Sequence, residues 1–208
     1  MKNQFKLIEM EKLPVMESFY TVQGEGAHTG KAAYFIRLAG CDVGCTWCDV
    51  KESWEVADDQ WMEIETIVSN TIKHPSSMVV ITGGEPCMYD LVRLLDNLKT
   101  NGRKVHLETS GAYHLKGQAD WVCVSPKKFK PALPEMIQLA DELKFVINHP
   151  SDFTWAESIS VSAKPGCLLY LQPEHSKSNK MMGLIVDYVK SNPQWRISLQ
   201  THKFLGIP

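Results

Sequence analysis

Short runs of β-prone apolar residues alternate along this chain with helical patterns, and that alternation leaves few architectures open to it. Residues 33–38, 78–82, 104–109, 121–125, 143–147, 167–172 and 195–200 each carry the apolar, β-branched or aromatic character of a strand. Between several of them the apolar residues recur at i, i+3 and i+4. Ile64, Ile67, Val68 and Ile72 form one such set, and Leu91, Leu94, Leu95 and Leu98 another. A third helix is predicted over 178–191. Strands that alternate with helices pair in parallel through right-handed crossovers, and a run such as Val79-Val80-Ile81 suits a strand covered on both faces. The expected fold is α/β: a mostly parallel sheet curved into an incomplete, TIM-like β/α barrel. A length of 208 residues without internal repeat, low-complexity tract or long linker predicts a single domain over residues 1–208.

Charge excludes some partners. Twenty-two Lys and Arg against 24 Asp and Glu leave a net charge of −2, so nothing in the balance points to nucleic acid or to an anionic membrane. Lys127, Lys128 and Lys130 form the one basic knot. Glu9, Glu11 and Lys12 interrupt the start before an export signal could form, and nowhere do about 18 consecutive apolar residues occur. A soluble, cytoplasmic protein is expected. In a reducing compartment six cysteines read as packing residues or metal ligands rather than disulfides. Cys87, Cys123 and Cys167 are scattered beside apolar segments and are expected in the core.

In a parallel sheet, ligands gather at the carboxyl ends of the strands. The residues that follow the predicted strands are Gly40-Cys41, Thr82-Gly83-Gly84-Glu85-Pro86, Glu108-Thr109-Ser110-Gly111, Ser125-Pro126-Lys127, Gln172-Pro173 and Gln200-Thr201-His202, which places polar groups, glycines and prolines along one rim. Cys41, Cys45 and Cys48 fall within eight residues straight after the first predicted strand, with Gly40 and Gly44 permitting tight turns. A structural zinc site wants four protein ligands, and no second Cys or His pair at suitable spacing is present, so zinc is the weaker reading. Three thiolates suit an iron–sulfur cube with one iron left to a non-protein ligand.

Cys-x3-Cys-x2-Cys after a first strand, joined to Gly83-Gly84-Glu85-Pro86 at the end of the next, resembles the radical S-adenosylmethionine (SAM) superfamily. That resemblance implies a 4Fe-4S cluster on Cys41, Cys45 and Cys48 and a SAM molecule on its open iron. It also implies SAM contacts from Trp47-Cys48-Asp49, Gly84, Ser125-Pro126-Lys127 and Gln172, with Glu108, Thr109 and Lys144 as further candidates. From composition alone, Trp47 could equally be packing, and each rim residue an ordinary loop hydrogen bonder.

Phe19-Tyr20-Thr21-Val22-Gln23-Gly24-Glu25-Gly26 ahead of the cysteine loop, together with the closing segment Gln200-Thr201-His202-Lys203-Phe204-Leu205-Gly206-Ile207-Pro208, resembles the 7-carboxy-7-deazaguanine synthase family over essentially the whole chain. The resemblance implies conversion of 6-carboxytetrahydropterin to 7-carboxy-7-deazaguanine with loss of ammonia, initiated by a 5′-deoxyadenosyl radical. It implies substrate contacts from Val22-Gln23-Gly24, Arg37, Thr82, His202 and the carboxylate of Pro208, with Glu25 a further acceptor. A homodimer and a reducing partner of flavodoxin or ferredoxin type are implied as well. On local sequence alone, Arg37 reads equally well as a surface ion pair, Glu25 as a solvated turn residue, His202 as a satisfied histidine and Pro208 as a frayed end. In the family a Thr or Ser commonly follows the Cys-Asp pair and offers a hydroxyl to Mg²⁺. Here Cys48-Asp49 is followed by Val50, which cannot ligate, so weak or absent magnesium dependence is expected.

Two other classes share parts of this pattern. A small activase that installs a glycyl radical on a partner protein would use the same cysteine loop, but has no need of Gln23, Glu25, Arg37 and the closing segment. A non-catalytic iron–sulfur or zinc module would not cleave SAM on reduction.

Overall fold

The computed structural model describes residues 11–208. Residues 1–10, which carry most of the segment read above as lacking an export signal, lie outside that range. Nine strands form one open sheet: β1 (Lys12–Val22), β2 (Ala32–Leu38), β3 (Trp61–Glu63), β4 (Met78–Gly83), β5 (Lys104–Thr109), β6 (Trp121–Val124), β7 (Glu142–Ile147), β8 (Leu168–Pro173) and β9 (Trp195–Ile197). Their order is β3-β1-β2-β4-β5-β6-β7-β8-β9, parallel from β2 through β9, with β1 antiparallel to β2 and β3 antiparallel to β1. The curved sheet therefore has two free edges rather than the closed seam of a full barrel.

All seven predicted runs form strands, and the three predicted helices form as α1 (Ile64–Ile72), α2 (Val92–Thr100) and α5 (Ser178–Ser191). Three helices had no clear sequence period: α3 (Pro134–Leu139), α4 (Ser151–Ser160) and α6 (Thr201–Leu205). The last predicted strand is shorter than expected. It stops at Ile197, and the chain then leaves the sheet to carry Gln200 to Glu25, 2.9 Å from Nε2 to Oε1.

Alternation along β7 shows how the fold separates two environments. Leu143, Phe145 and Ile147 are fully buried against the helical layer, in the same cluster as Leu94, Leu98, Ile185 and Trp195. Glu142, Lys144 and Val146 point the other way, as the two-residue period of a strand requires. On that concave side, register sets Glu108 of β5 beside Cys123 of β6, and Cys123 beside Glu142 of β7. A small apolar plug of Ala33, Met78 and Val80 closes the side near the strands' amino ends. Cys87 and Cys123 are buried as expected, but Cys123 sits in this polar row, its Sγ 3.6 Å from Glu142 Oε1, rather than in apolar packing. Cys167 is only half-buried.

Candidate functional site

The concave face opens at the strands' carboxyl ends into a cleft of about 430 Å³. Every candidate site residue singled out from the sequence lines it except Pro126, which is buried away from it. Three groups of residues build the cleft.

The first is the cysteine loop. Gly40 (φ 93°) turns the chain out of β2 and Gly44 (φ 75°) turns it again. Gly40 N–H donates to Ser53 O (2.7 Å), Cys41 N–H to Trp54 O (3.1 Å) and Cys48 N–H to Cys45 O (3.1 Å), which wraps the three cysteines around one volume. All three are free thiols on the cleft wall, whereas Cys87, Cys123 and Cys167 do not line it. Burial pushes the Cys41 thiol up and the Cys45 thiol up to about 11, with Lys127 pulling Cys45 the other way. Trp47 meets Phe129 edge-on and carries Lys127 Nζ 5.5 Å from its ring centre. Two lysines of the basic knot are paired locally, Lys128 with Asp152 and Lys130 with Asp42.

The second group is the glycine edge. A Cβ on Gly84 would lie 2.3 Å from Gly40 O, and one on Gly83 (φ 131°) 2.1 Å from Leu38 O. Gly84 N–H donates to Leu38 O (2.8 Å) and Glu85 N–H to Gly40 O (2.8 Å), so the end of β4 is laced backbone to backbone onto the cysteine loop. Glu85 is buried and fully engaged: it accepts from Cys87 N (3.0 Å), Thr109 Oγ1 (2.5 Å) and Ser110 N (2.8 Å). It ties the ends of β4 and β5 together and has no oxygen to spare for a ligand. Because Gly84→Ala forces two backbones apart rather than displacing a flexible side chain, it is expected to cost about 1–3 kcal/mol of stability and to weaken SAM binding. Chemical denaturation and equilibrium dialysis would check both.

The third group is a charged wall. Lys144, 4% exposed, pairs with both Glu25 and Glu108 (3.5 Å to Oε2 of the latter). Gln23 Nε2 donates to Glu108 Oε1 (2.8 Å), and Glu25 N–H donates to Gln23 Oε1 (3.0 Å). Burial disfavours the ammonium, but Glu108 and Glu25 outweigh it and hold Lys144 well above its usual range. Burial likewise works against the Glu25 carboxylate, and Lys144, with help from Gln200, still holds it below its usual range. Arg37 lines the cleft and also makes the ion pair that its local sequence allowed, its Nε 2.6 Å from Glu17 Oε1.

The closing segment completes this wall. Thr201 donates to Gly24 O through both N–H (2.9 Å) and Oγ1 (3.0 Å), and a Cβ on Gly24 would lie 2.3 Å from His202 Nδ1. Thr21 Oγ1 donates to Pro208 O (3.3 Å). Burial lowers the His202 pKa, with Glu25 acting in the opposite sense.

The donor set fits a cluster with one iron open to a non-protein ligand, because three free sulfurs and no fourth share the cleft with a backbone edge that side chains would block. It does not fit Mg²⁺. Val50 presents methyl groups to the cleft in place of a hydroxyl, and Oδ2 of Asp49 is already taken by Lys203 Nζ (3.1 Å) and Gln200 Nε2 (3.3 Å).

Several lining residues are not among the contacts expected from the sequence. Phe19 and Phe35 stack across β1 and β2 with ring centres 5.6 Å apart, and the period-two relation of Phe35 to Arg37 was the available signal. Glu174, His175 and Lys203 also line the cleft; Lys203 falls within the closing segment, and no local pattern marks the other two.

Residues 35–148 match the family model of the radical SAM superfamily. The chain is 52% identical over 198 residues to the 7-carboxy-7-deazaguanine synthase of Flavobacterium psychrophilum, covering 95% of this chain and 94% of that protein. It is 47% identical to the enzyme of the same name from Synechocystis, covering 93% of each. Among solved structures it is similar to the crystal structure of QueE from Escherichia coli, with a TM-score of 0.83 and 31% identity over 96% of this chain and 98% of that one.

Proposed function

The chain belongs to the 7-carboxy-7-deazaguanine synthases of the radical SAM superfamily, and from that premise we propose that it converts 6-carboxy-5,6,7,8-tetrahydropterin to 7-carboxy-7-deazaguanine with release of ammonia, a step toward queuosine and related deazapurines. The observation that carries this is the meeting, in one cleft, of three free cysteines with a wall of paired carboxylates and amides. When bound, the cluster and SAM supply the hydrogen abstraction that starts the reaction.

The chain's own residues hold and shield the reactants. Cys41, Cys45 and Cys48 would hold the cluster as thiolates, which requires loss of the proton that burial favours on Cys45. Gly84, the Trp47-Cys48-Asp49 segment, Ser125-Pro126-Lys127 and Gln172 hold SAM, Pro126 through the loop's backbone shape. Thr109 and Ser110 position this edge through Glu85. Glu25, held ionised by Lys144, and Glu108, paired with the same lysine, accept from the guanidine-like edge of the pterin, with Gln23, Gly24, Val22, Thr82 and Arg37 around it. Phe19, Phe35, His202 and Pro208 close the wall and keep water and stray hydrogen donors from the reacting carbon.

The whole of residues 1–208 is proposed to act as one domain, paired as a homodimer and reduced by a flavodoxin- or ferredoxin-type partner in the cytoplasm. The coverage of relatives along nearly the full chain supports the first, and the family resemblance the others. No helix among the described residues is long and apolar enough to cross a membrane. Anaerobic incubation of reconstituted protein with SAM, reductant and the carboxytetrahydropterin is expected to yield the deazaguanine. A fully loaded cluster that cleaves SAM without forming it would overturn the assignment. With Val50 in place of a hydroxyl residue, turnover is expected to change less than about twofold between EDTA-treated protein and millimolar Mg²⁺. A steep magnesium requirement in the same assay would show that other oxygens make the site.

A further inference from the structure

The poor fit to magnesium leaves a question of charge. The proposed substrate carries a carboxylate, and a buried carboxylate needs a counter-charge or several donors. Among the described residues one arginine and three lysines line the cleft: Arg37, Lys127, Lys144 and Lys203. Lys144 is already matched by two carboxylates, Glu25 and Glu108. Arg37 has its Nε on Glu17. Lys127 donates to Ser125 Oγ and lies over Trp47, on the side of the cysteine loop. Lys203 differs from all three in position, because its partner Asp49 directly precedes Val50, where the family's hydroxyl residue would stand. Among the described residues Asp49 is its sole hydrogen-bond partner, at 3.1 Å, so two of its three N–H donors are uncommitted.

Its placement is fixed from both directions. Helix α6, which carries Lys203, is pinned to Gly24 by Thr201 and seated there by the absence of a side chain on Gly24. From the other direction, Asp49 belongs to the loop that presents Cys48, and it also accepts from Gln200. The ammonium therefore lines the cleft with Val50, at the junction of the cysteine loop and the wall containing Gly24 and Glu25. With a side chain 26% exposed, it is partly shielded from water yet reachable from the cleft.

We propose that Lys203 supplies the counter-charge to the substrate carboxylate in place of a divalent cation, which makes it a substrate-binding residue that selects carboxylated over uncarboxylated pterins. This rests on the pterin reading above. An ammonium at a fixed position and a metal ion answer the same electrostatic need, and Asp49 orients the ammonium without consuming all of its donors.

The test separates the carboxylate from the rest of the ligand. Binding of 6-carboxypterin and of pterin, both fluorescent and neither a substrate for turnover, is measured by fluorescence titration on cluster-loaded wild-type protein, Lys203→Gln and Lys203→Arg. Wild type is expected to prefer 6-carboxypterin. Lys203→Gln is expected to lose about ten- to a hundredfold in affinity for 6-carboxypterin, the scale of a charged hydrogen bond, and to bind pterin within about twofold of wild type. Lys203→Arg, which keeps the charge and the contact to Asp49, is expected to retain most of the preference. Equal loss of both ligands in Lys203→Gln would reduce Lys203 to a strut for α6, and no loss of either would remove it from the site. Should Lys203→Gln not fold, the wild-type preference and its retention in Lys203→Arg still decide, because absence of the preference in wild type or its loss in the arginine variant overturns the proposal. Turnover of the tetrahydro substrate by wild type is scored separately, so failure of the enzyme assignment is distinguishable from failure of this assignment to Lys203.

Discussion

Cys41→Ala, Cys45→Ala and Cys48→Ala are each expected to abolish turnover and to leave the reconstituted protein without the cluster's absorbance near 400 nm. Three protein sulfurs are the fewest that hold such a cluster with one iron open, and no other cysteine lines the cleft to substitute for a lost one. Cys167→Ala provides the contrast. That thiol is half-buried on the far side of β8 from the cleft residue Gln172, so its loss is expected to leave iron content and SAM cleavage at wild-type levels. Iron and sulfide analysis after anaerobic reconstitution checks the set, and a Cys45→Ala protein with a full cluster would refute the ligand assignment.

Lys144→Met is expected to be the most damaging change away from the cysteines. Removing the ammonium leaves Glu25 and Glu108 facing each other with no countercharge, and breaking a buried ion pair on one side costs about 3–5 kcal/mol. One of the two carboxyls then takes up a proton at neutral pH and ceases to be a clean acceptor for the pterin edge, so turnover falls with stability. Lys144→Met combined with Glu108→Gln is expected to recover much of the stability and none of the activity, which separates the two effects. In wild type the pH dependence follows from the directions of the shifts. Glu25 titrates below its unfolded value, so its contribution is present above that value and is lost as pH falls through the folded one. Lys144 titrates above its unfolded value, so its contribution is lost only as pH rises through its folded one in strong alkali. Urea unfolding followed from neutral to acid pH should show the first loss in wild type and a smaller one in Lys144→Met.

The sequence carried the fold where the physics is local. Val79-Val80-Ile81 is apolar because both faces of β4 are covered, and the Leu94, Leu95, Leu98 stripe is apolar because one face of α2 is. Strand β1 was missed because its pattern is mixed. It carries a proline whose carbonyl accepts from Ala39 N–H, a register shift between Val15 and Glu17, and one partner on each side running antiparallel to it. Most of the site could be found because each strand's carboxyl end announces itself with a glycine, proline or polar residue. Its energetics could not. Glu25 and Lys144 lie 119 residues apart and Gln23 and Glu108 lie 85 apart, and only sheet order brings them together. Lys203 stands in the closing segment beside His202, but nothing in that segment shows that Asp49, 154 residues earlier, lies against it.

The stitching of Thr201 to Gly24 and of Gln200 to Asp49 has a consequence during synthesis. The thiols leave the ribosome first, and 151 residues separate Asp49 from Gln200. At about 5–20 residues per second, translation of that interval takes roughly ten to thirty seconds. Throughout it the nascent chain displays three thiols with no finished enclosure, so oxidants have their widest opportunity before Gln200 and Thr201 arrive to close the wall.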